Sequence, residues 1–184
     1  NVNDTCGGTA PTPTNITYVT GKYGKAANFN GSSSKIVLDG TSKPNGPWSI
    51  SYWFNTNTIS KESAHYLGDW TNGQYTLMIK NYYDKMYVYG YSCAGSAVFN
   101  TQPLIGSTTI TTGTWFHVVV VLDNVTTSSG VTIYINGTSV GTTTLSSGMC
   151  TSGTEFTIGW EPPVYSYMDG EIDQMRFFNA ALTA

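Results

Sequence analysis

Apolar residues in this chain recur at every second position, in short segments bounded by Gly, Asn, Ser and Thr. This period is typical of half-buried β-strands, in which successive side chains point to opposite faces. The clearest segment runs from 48 to 54, and its alternation predicts one apolar face formed by Trp48, Ile50, Tyr52 and Phe54. No stretch shows the apolar period of a helix, so the sequence predicts an all-β fold.

Two further segments indicate how the strands are arranged. Trp115–Leu122 is apolar on both faces, which predicts an interior strand that buries Val119 along with the rest. The residues on either side of Asn136 and Gly137 alternate, and this pair suits the positive φ angles of a type I′ hairpin turn. About a dozen such short strands, with turn residues between them, predict two packed antiparallel sheets.

The length of 184 residues is sufficient for one domain with a hydrophobic core. Two adjacent Gly and two Pro lie near the start, so we expect residues 1–14 to form a flexible arm or linker and residues 15–184 to form the domain. Only eight residues are Lys or Arg and the net charge is −3, which argues against nucleic acid binding. No apolar run is long enough for membrane insertion. Because the sequence begins at Asn1 and not with Met, we expect a processed protein or an excerpt.

Two signatures near the ends of the chain carry a family resemblance. Residues 21–33 read Gly-Lys-Tyr-Gly-Lys-Ala-Ala-Asn-Phe-Asn-Gly-Ser-Ser, and residues 170–182 read Gly-Glu-Ile-Asp-Gln-Met-Arg-Phe-Phe-Asn-Ala-Ala-Leu. Together they closely resemble the first and last signatures of the laminin-G-like/concanavalin A-like family, and the segments 115–119 and 133–137 resemble two more, in the same order. The resemblance implies a two-sheet antiparallel jelly-roll sandwich. The Asp-Gly pair at 169 and 170 by itself predicts a tight turn before the last strand.

The resemblance implies a fold more strongly than a function, because one fold hosts many kinds of site. We expect a non-enzymatic adhesion module, exposed outside a cell or on a virion surface, that recognises a glycan or a protein surface. The alternative is a structural virion decoration, fibre or cell-surface domain, whose outer faces contact neighbouring protein subunits and bind no sugar.

The segment Glu171-Ile172-Asp173 raises a second alternative, a glycoside hydrolase. It resembles the catalytic strand of laminarinase-type hydrolases, in which alternate carboxylates point into one cleft and share the work with a third. Here the third position holds Met175 or Arg176, so the acid/base partner is missing. The sequence therefore predicts that the chain is not an enzyme.

Three tyrosines are the main candidates for ligand binding. In the segment 85–91, alternation places Tyr87, Tyr89 and Tyr91 on one face, which we expect to point outward. Flat aromatic rings suit the apolar C–H faces of sugars, and Trp53 is expected as their companion. The alternative is that these rings only cover the sheet, since cross-strand aromatic pairs stabilise sheets.

Aromatic residues in loops form a second candidate set at the rim of the sandwich. They are Trp70, Tyr82, Tyr83, Trp160, Tyr165 and Tyr167. His117, by contrast, lies between apolar neighbours on a predicted strand, and we expect it to be a hydrogen-bonded sheet residue with no catalytic role.

The resemblance also leaves room for a structural calcium ion, which members of this family often bind through rim carboxylates. Asp169 and Asp173 are the expected ligands, and no other cofactor is expected. Three cysteines allow one disulfide and one free thiol. We expect Cys93 to pair with Cys150 because both fall in loops between strands, which leaves Cys6 free. The alternative is three reduced thiols.

Overall fold

The computed structural model of the protein describes residues 11–39, 46–59, 67–71, 74–151, 155–161 and 166–183. These residues form sixteen strands. The first eight are β1 (Thr12–Thr14), β2 (Thr17–Thr20), β3 (Lys25–Asn30), β4 (Lys35–Asp39), β5 (Trp48–Thr56), β6 (Leu67–Thr71), β7 (Gln74–Tyr82) and β8 (Lys85–Gly90). The others are β9 (Leu104–Ile105), β10 (Phe116–Leu122), β11 (Gly130–Ile135), β12 (Thr138–Thr144), β13 (Glu155–Ile158), β14 (Trp160–Glu161), β15 (Ser166–Tyr167) and β16 (Asp169–Phe178). The described residues contain no helix long and apolar enough to cross a membrane.

Two seven-stranded sheets form the body of the protein. Sheet A has the strand order β1-β4-β13-β6-β7-β8-β9, and sheet B has the order β12-β11-β10-β5-β16-β3-β2. Neighbouring strands in each sheet run antiparallel. A small ribbon of β14 and β15 stands apart from both sheets. The predicted antiparallel jelly-roll sandwich is confirmed.

The core lies between the two sheets and contains the faces that alternation predicted. Sheet B contributes the predicted face of β5, where Tyr52 and Phe54 are fully buried. Sheet A contributes Ile79 from β7, together with Met86 and Val88 from β8, all at 0% exposure. These side chains belong to one continuous hydrophobic cluster, so the sheets face each other across a single core.

Strand β10 is interior to its sheet, as predicted, because it pairs with β5 on one side and β11 on the other. Val118, Val120 and Leu122 are at 0% exposure in the core. The prediction that both faces are buried was wrong for Val119, which is only half-buried on the outer face of sheet B. Apolar residues on an interior strand gain from cross-strand packing even where water reaches one face.

The two faces of β10 should respond differently to charge. Val120→Asp is expected to destabilise the protein by about 4 kcal/mol or more, because it places an unpaired carboxylate in the core. Val119→Asp, on the outer face, is expected to cost about 1 kcal/mol and to leave the protein folded. Urea denaturation of both variants measures the difference. Equal losses would contradict the assignment of the two faces.

The hairpin at Asn136 and Gly137 is confirmed. These two residues join β11 to β12, with φ angles of 52° and 80°. Asn and Gly tolerate such angles better than other residues do, which is why this dipeptide forms the turn between the two strands.

The structure corrects two expectations about the ends of the chain. Residues 12–14 of the predicted arm form β1, which pairs with β4 at the edge of sheet A, while residues 1–10 lie outside the described part. The turn expected at Asp169 and Gly170 is absent, because both residues already belong to β16. Gly170 pairs there with Phe29 on one side and Thr56 on the other.

A disulfide links Cys93 to Cys150, as predicted, with their Cα atoms 4.7 Å apart. The alternative of three reduced thiols is therefore wrong, and Cys6 lies outside the described residues. The bond joins the chain after β8 to the chain before β13. Next to it, the Cys150 amide donates a hydrogen bond to the Tyr91 carbonyl oxygen over 2.9 Å. The cross-link thus fixes the backbone of one of the candidate tyrosines.

Candidate functional site

A row of tyrosines lies on the outer face of sheet A, along β8. Because Met86 and Val88 point into the core, Tyr87 and Tyr89 point away from it. Rings 87 and 89 are nearly parallel (17°) with centroids 6.3 Å apart, and rings 89 and 91 are nearly parallel (4°) at 6.4 Å. This spacing follows from the rise of two strand residues, about 6.6 Å. We call Tyr87, Tyr89 and Tyr91 the tyrosine row.

Two of the predicted rim residues extend this surface. Tyr82, at the end of β7, meets Tyr87 edge-on with the ring centroids 5.5 Å apart. Tyr83, in the turn between β7 and β8, meets Tyr82 edge-on at 4.8 Å and is half exposed. The aromatic surface therefore continues past β8 to the tip of the hairpin.

An ion pair borders the tyrosine row. Lys80 Nζ lies 2.9 Å from Glu161 Oε1 and 3.2 Å from Oε2. The same ammonium group lies 5.9 Å from the Tyr89 ring centroid and 5.6 Å from that of Tyr82. Glu161 comes from the β14–β15 ribbon and is almost fully buried. The two charges compensate each other, so this border carries no net charge.

The hydroxyl groups of Tyr89 and Tyr91 stay protonated. Burial, helped by the neighbouring Tyr91, Tyr87, Glu161 and Tyr82, raises the pKa of Tyr89 to about 12. Burial also raises the pKa of Tyr91, although a hydrogen bond that its phenol oxygen accepts from the Gln102 side chain lowers it, and Glu161 raises it further. Both phenols are therefore uncharged at neutral pH and can donate as well as accept hydrogen bonds.

Two other rim residues, Trp160 and Tyr167, form a separate aromatic pair. Trp160 and Tyr167 pair across the β14–β15 ribbon, with nearly parallel rings 6.4 Å apart. Lys35 Nζ lies 4.1 Å from the centroid of the Trp160 ring. The Trp70 side chain and Tyr165 lie outside the described residues, so their predicted roles stay predictions.

Trp53 is not the companion that the sequence analysis expected for the tyrosines. Its neighbours in β5, Tyr52 and Phe54, point into the core, so Trp53 points outward from sheet B. The tyrosine row points outward from sheet A. The two aromatic surfaces therefore lie on opposite sides of the sandwich.

His117 is a hydrogen-bonded sheet residue, as predicted. Its Nε2 atom lies 2.9 Å from Ser51 Oγ, and its ring stacks on Trp53 with centroids 5.0 Å apart. Burial lowers the pKa of its imidazole, so the ring is neutral at pH 7. No third group completes a catalytic triad with Ser51 and His117 among the contacts of the described residues.

Asp173 has a structural role. Its carboxylate is 4% exposed, and its Oδ2 atom accepts a hydrogen bond of 2.7 Å from the Tyr23 amide. A Cβ atom at Gly21 would lie 2.7 Å from the same oxygen, so glycine is required for this approach. The carboxylate thus joins the first signature of the chain to the last.

The predicted calcium ligands do not fit one ion. Asp169 and Asp173 lie four residues apart on one strand, a separation of about 13 Å, whereas calcium ligands stand about 2.3–2.6 Å from the metal. Asp169 Oδ1 accepts a hydrogen bond of 2.8 Å from Asn57 Nδ2. No group of three or more His, Cys, Asp or Glu residues in the described segments could hold a metal ion.

Glu171 lies on the outer face of sheet B, opposite Asn55 of β5. Burial and then the Asp169 carboxylate raise the pKa of Glu171, although a hydrogen bond with Asn55 lowers it. Glu171 Oε2 and Asn55 Oδ1 are both buried acceptors without a hydrogen-bond partner. The raised pKa keeps a proton on Glu171 to a higher pH than on an exposed glutamate.

Glu171 should therefore make stability depend on pH. Its folded pKa exceeds its ordinary value of 4.5, so the free energy of unfolding falls as pH rises from about 4.5 through the folded pKa. Glu171→Gln, which supplies a permanent N–H donor, is expected to remove this fall. Asp169→Asn is expected to reduce it. Thermal unfolding between about pH 4 and 7 tests both variants, and a wild-type slope in Glu171→Gln would contradict the assignment.

Comparison with known proteins agrees with this fold. A laminin-G family model, described as the concanavalin A-like lectin/glucanases superfamily, matches residues 30–184. No curated protein sequence matches the chain significantly.

Several solved structures are similar in shape. One is domain 4 of AbnA, a GH43 extracellular arabinanase from Geobacillus stearothermophilus, which was solved in complex with arabinotriose. Its sequence is 24% identical to this chain, and the TM-score is 0.73. The match covers 100% of this chain and 89% of that domain. The binding domain of Paraclostridial Mosquitocidal Protein 1 is 17% identical with a TM-score of 0.74, and that of botulinum neurotoxin serotype G is 11% identical with a TM-score of 0.73. This chain is covered to 95% and 97% in these two cases, but it spans only 45% of each toxin domain.

At these identities the solved structures support the fold alone. The family model covers most of the chain, including the last signature that ends β16. The chain belongs to the concanavalin A-like lectin/glucanase superfamily.

Proposed function

We propose that this protein is a non-catalytic carbohydrate-binding module, which binds an extended, uncharged glycan along the tyrosine row. The observation that carries the proposal is the row itself: near-parallel phenol rings repeat every 6.3–6.4 Å on an outward face. Aromatic rings pack against the C–H faces of sugars, and the phenol hydroxyls provide hydrogen bonds to the polar groups of the sugars.

The length and charge of the surface support an extended neutral ligand. From the first to the third tyrosine the row spans about 13 Å, which exceeds the length of one sugar ring. The bordering Lys80 is compensated by Glu161, and Lys85, at the start of β8, donates hydrogen bonds to Ser107 and Thr109. Neither of these two described cations is therefore free to select an acidic sugar. The similar domain 4 of the arabinanase was solved with arabinotriose, a short neutral oligosaccharide, which is consistent with this ligand class.

The carboxylates support a binding role over hydrolysis. Asp173 is enclosed and accepts a backbone N–H, and Glu171 lies with Asn55 on sheet B, on the side opposite the tyrosine row. A retaining glycosidase needs two carboxyl groups about 5 Å apart that both face the substrate. The disulfide is typical of an oxidising compartment, which favours a location outside the cell, on a cell surface or on a virion.

Calorimetric titration with neutral linear oligosaccharides tests the proposal, with arabinotriose as the first probe and a glycan array to widen the search. Affinity is expected to rise about tenfold or more from a monosaccharide to a trisaccharide, because a longer ligand reaches more than one tyrosine. Incubation with mixed-linkage and β-1,3-glucans is expected to release no reducing ends above a Glu171→Gln control. If the protein bound no glycan on the array, that result would instead support a contact with a neighbouring protein subunit at the tyrosine row.

A further inference from the structure

A hollow lies on the outer face of sheet B, on the side of the sandwich opposite the tyrosine row. It has a volume of about 520 Å³, enough for one or two sugar rings. Its lining consists of Lys22, Trp53, Trp115, His117, Asn136 and Gly137. The floor comes from neighbouring positions of β5 and β10, where Trp53 and His117 are register partners.

The walls of this hollow are held in place by hydrogen bonds from backbone amides. On one side, the His117 amide donates to Asn136 Oδ1 over 2.9 Å, and the Asn136 amide donates to the His117 carbonyl oxygen over 2.8 Å. On the other side, the bond from Tyr23 to Asp173 holds the turn that carries Lys22. A site whose walls are already fixed loses little entropy when a ligand binds.

One aromatic ring in the hollow is available for stacking. The Trp53 ring is in contact with His117 on one side and meets the edge of Tyr23 at 5.7 Å. Trp115 is only partly buried and has no ring–ring or cation–π contact within the described residues. A partly exposed indole ring at the edge of a polar hollow is suited to the apolar face of a sugar.

The charge of the hollow differs from that of the tyrosine row. Lys22 is exposed, its Nζ atom lies 4.9 Å from the Trp53 ring centroid, and no carboxylate in the described segments forms an ion pair with it. His117 is neutral because burial lowers the pKa of its imidazole. Lys22 is therefore the one cation of the lining, and its ammonium group makes no ion pair within the described segments.

We propose that this hollow is a second glycan site, which binds a sugar carrying a carboxylate, with Trp115 against the sugar ring and Lys22 on the carboxylate. A charge-assisted hydrogen bond from an ammonium group to a carboxylate is about twice as strong as a neutral one, so it distinguishes an acidic sugar from its neutral counterpart. The site does not depend on the tyrosine row, because the two lie on opposite sides of the sandwich.

Intrinsic tryptophan fluorescence of the full chain tests this proposal, since two of its tryptophans line the hollow. Glucuronate is expected to produce a saturable change, glucose to bind at least about tenfold more weakly, and Lys22→Gln to weaken glucuronate binding by about tenfold. Lys22 is exposed in a turn, so this exchange leaves the fold intact. Trp115→Ala is expected to abolish binding, and Tyr89→Ala to leave it unchanged.

Four outcomes would overturn the second site. Equal affinities for glucose and glucuronate would show that the Lys22 ammonium group does not select an acidic sugar, and unchanged glucuronate binding in Lys22→Gln would show the same. Acetate binding as tightly as glucuronate would show that the sugar ring makes no contact. Loss of glucuronate binding in Tyr89→Ala would show one site on sheet A, whereas failure of the tyrosine row to bind arabinotriose leaves this result untouched.

Discussion

Gly170→Ala is expected to destabilise the protein by about 4 kcal/mol or more, which is close to the whole stability of many small domains. Gly170 has a φ of 146°, and a Cβ atom there would collide with the Asn55 carbonyl oxygen and lie 2.9 Å from Thr56 Cα. Both obstacles are backbone atoms of β5, in the middle of sheet B, so neither can move aside. Loss of the cooperative thermal transition, followed by circular dichroism, measures the effect.

Gly24→Ala is the matched control for this substitution. Gly24 also has a positive φ, of 80°, but its Cβ would meet nothing within 4 Å. We expect it to cost only the backbone strain of a left-handed alanine, about 1–2 kcal/mol. If the two variants lost the same stability, strain alone would account for both, and the close approach to Asn55 would contribute nothing.

Loss of two tyrosines from the row is expected to abolish most glycan binding. If each ring–sugar contact contributes about 1 kcal/mol, Tyr89→Ala weakens affinity fivefold to tenfold, and Tyr87→Ala with Tyr89→Ala weakens it by roughly thirtyfold or more. Tyr89 is the central ring, in contact with a neighbour on each side, so its removal also interrupts the surface. Calorimetric titration with the best oligosaccharide measures the series.

Two further variants make this experiment specific. Tyr89→Phe keeps the ring and removes the hydroxyl, so it separates ring packing from hydrogen bonding. Tyr18→Ala removes an exposed tyrosine from β2 in sheet B and is expected to leave affinity unchanged. An equal loss in Tyr18→Ala, or full affinity in the double variant, would refute the role of the row.

Local alternation was sufficient to predict most of the strands. The face of β5 formed by Trp48, Ile50, Tyr52 and Phe54 is buried as expected, and the hairpin at Asn136 follows from local backbone preference. Both features depend on residues close together in sequence. Alternation also placed Tyr87 and Tyr89 on one outward face, since their strand neighbours are strongly apolar.

Alternation cannot tell which sheet a strand joins. Trp53 points outward, as expected, but its strand β5 lies in sheet B, whereas β8 lies in sheet A. The sheet that a strand joins is decided by pairing between strands that are distant in sequence. The same limit applies to Asp173. Its partner is the Tyr23 amide, 150 residues away, so an isolated carboxylate in the sequence was mistaken for a metal ligand.

The role of Gly170 could not be predicted from the sequence, for a different reason. An Asp-Gly pair commonly forms a turn, and the sequence offers no sign that this glycine admits the backbone of a neighbouring strand instead. The positive φ at Gln174 is similar, because it accompanies a register shift of β16 against β5 between Asp173 and Arg176. Such irregularities arise from pairing between strands and leave little trace in composition.

The position of β16 also sets the order in which the protein can assemble. This strand is the last of the described strands, yet it lies between β5 and β3 in the interior of sheet B. Until β16 is in place, β5 and β3 each present an unpaired edge, and such edges favour association with other chains. Folding of sheet B therefore waits for β16 and is dominated by non-local contacts, which makes it slow for a domain of this size.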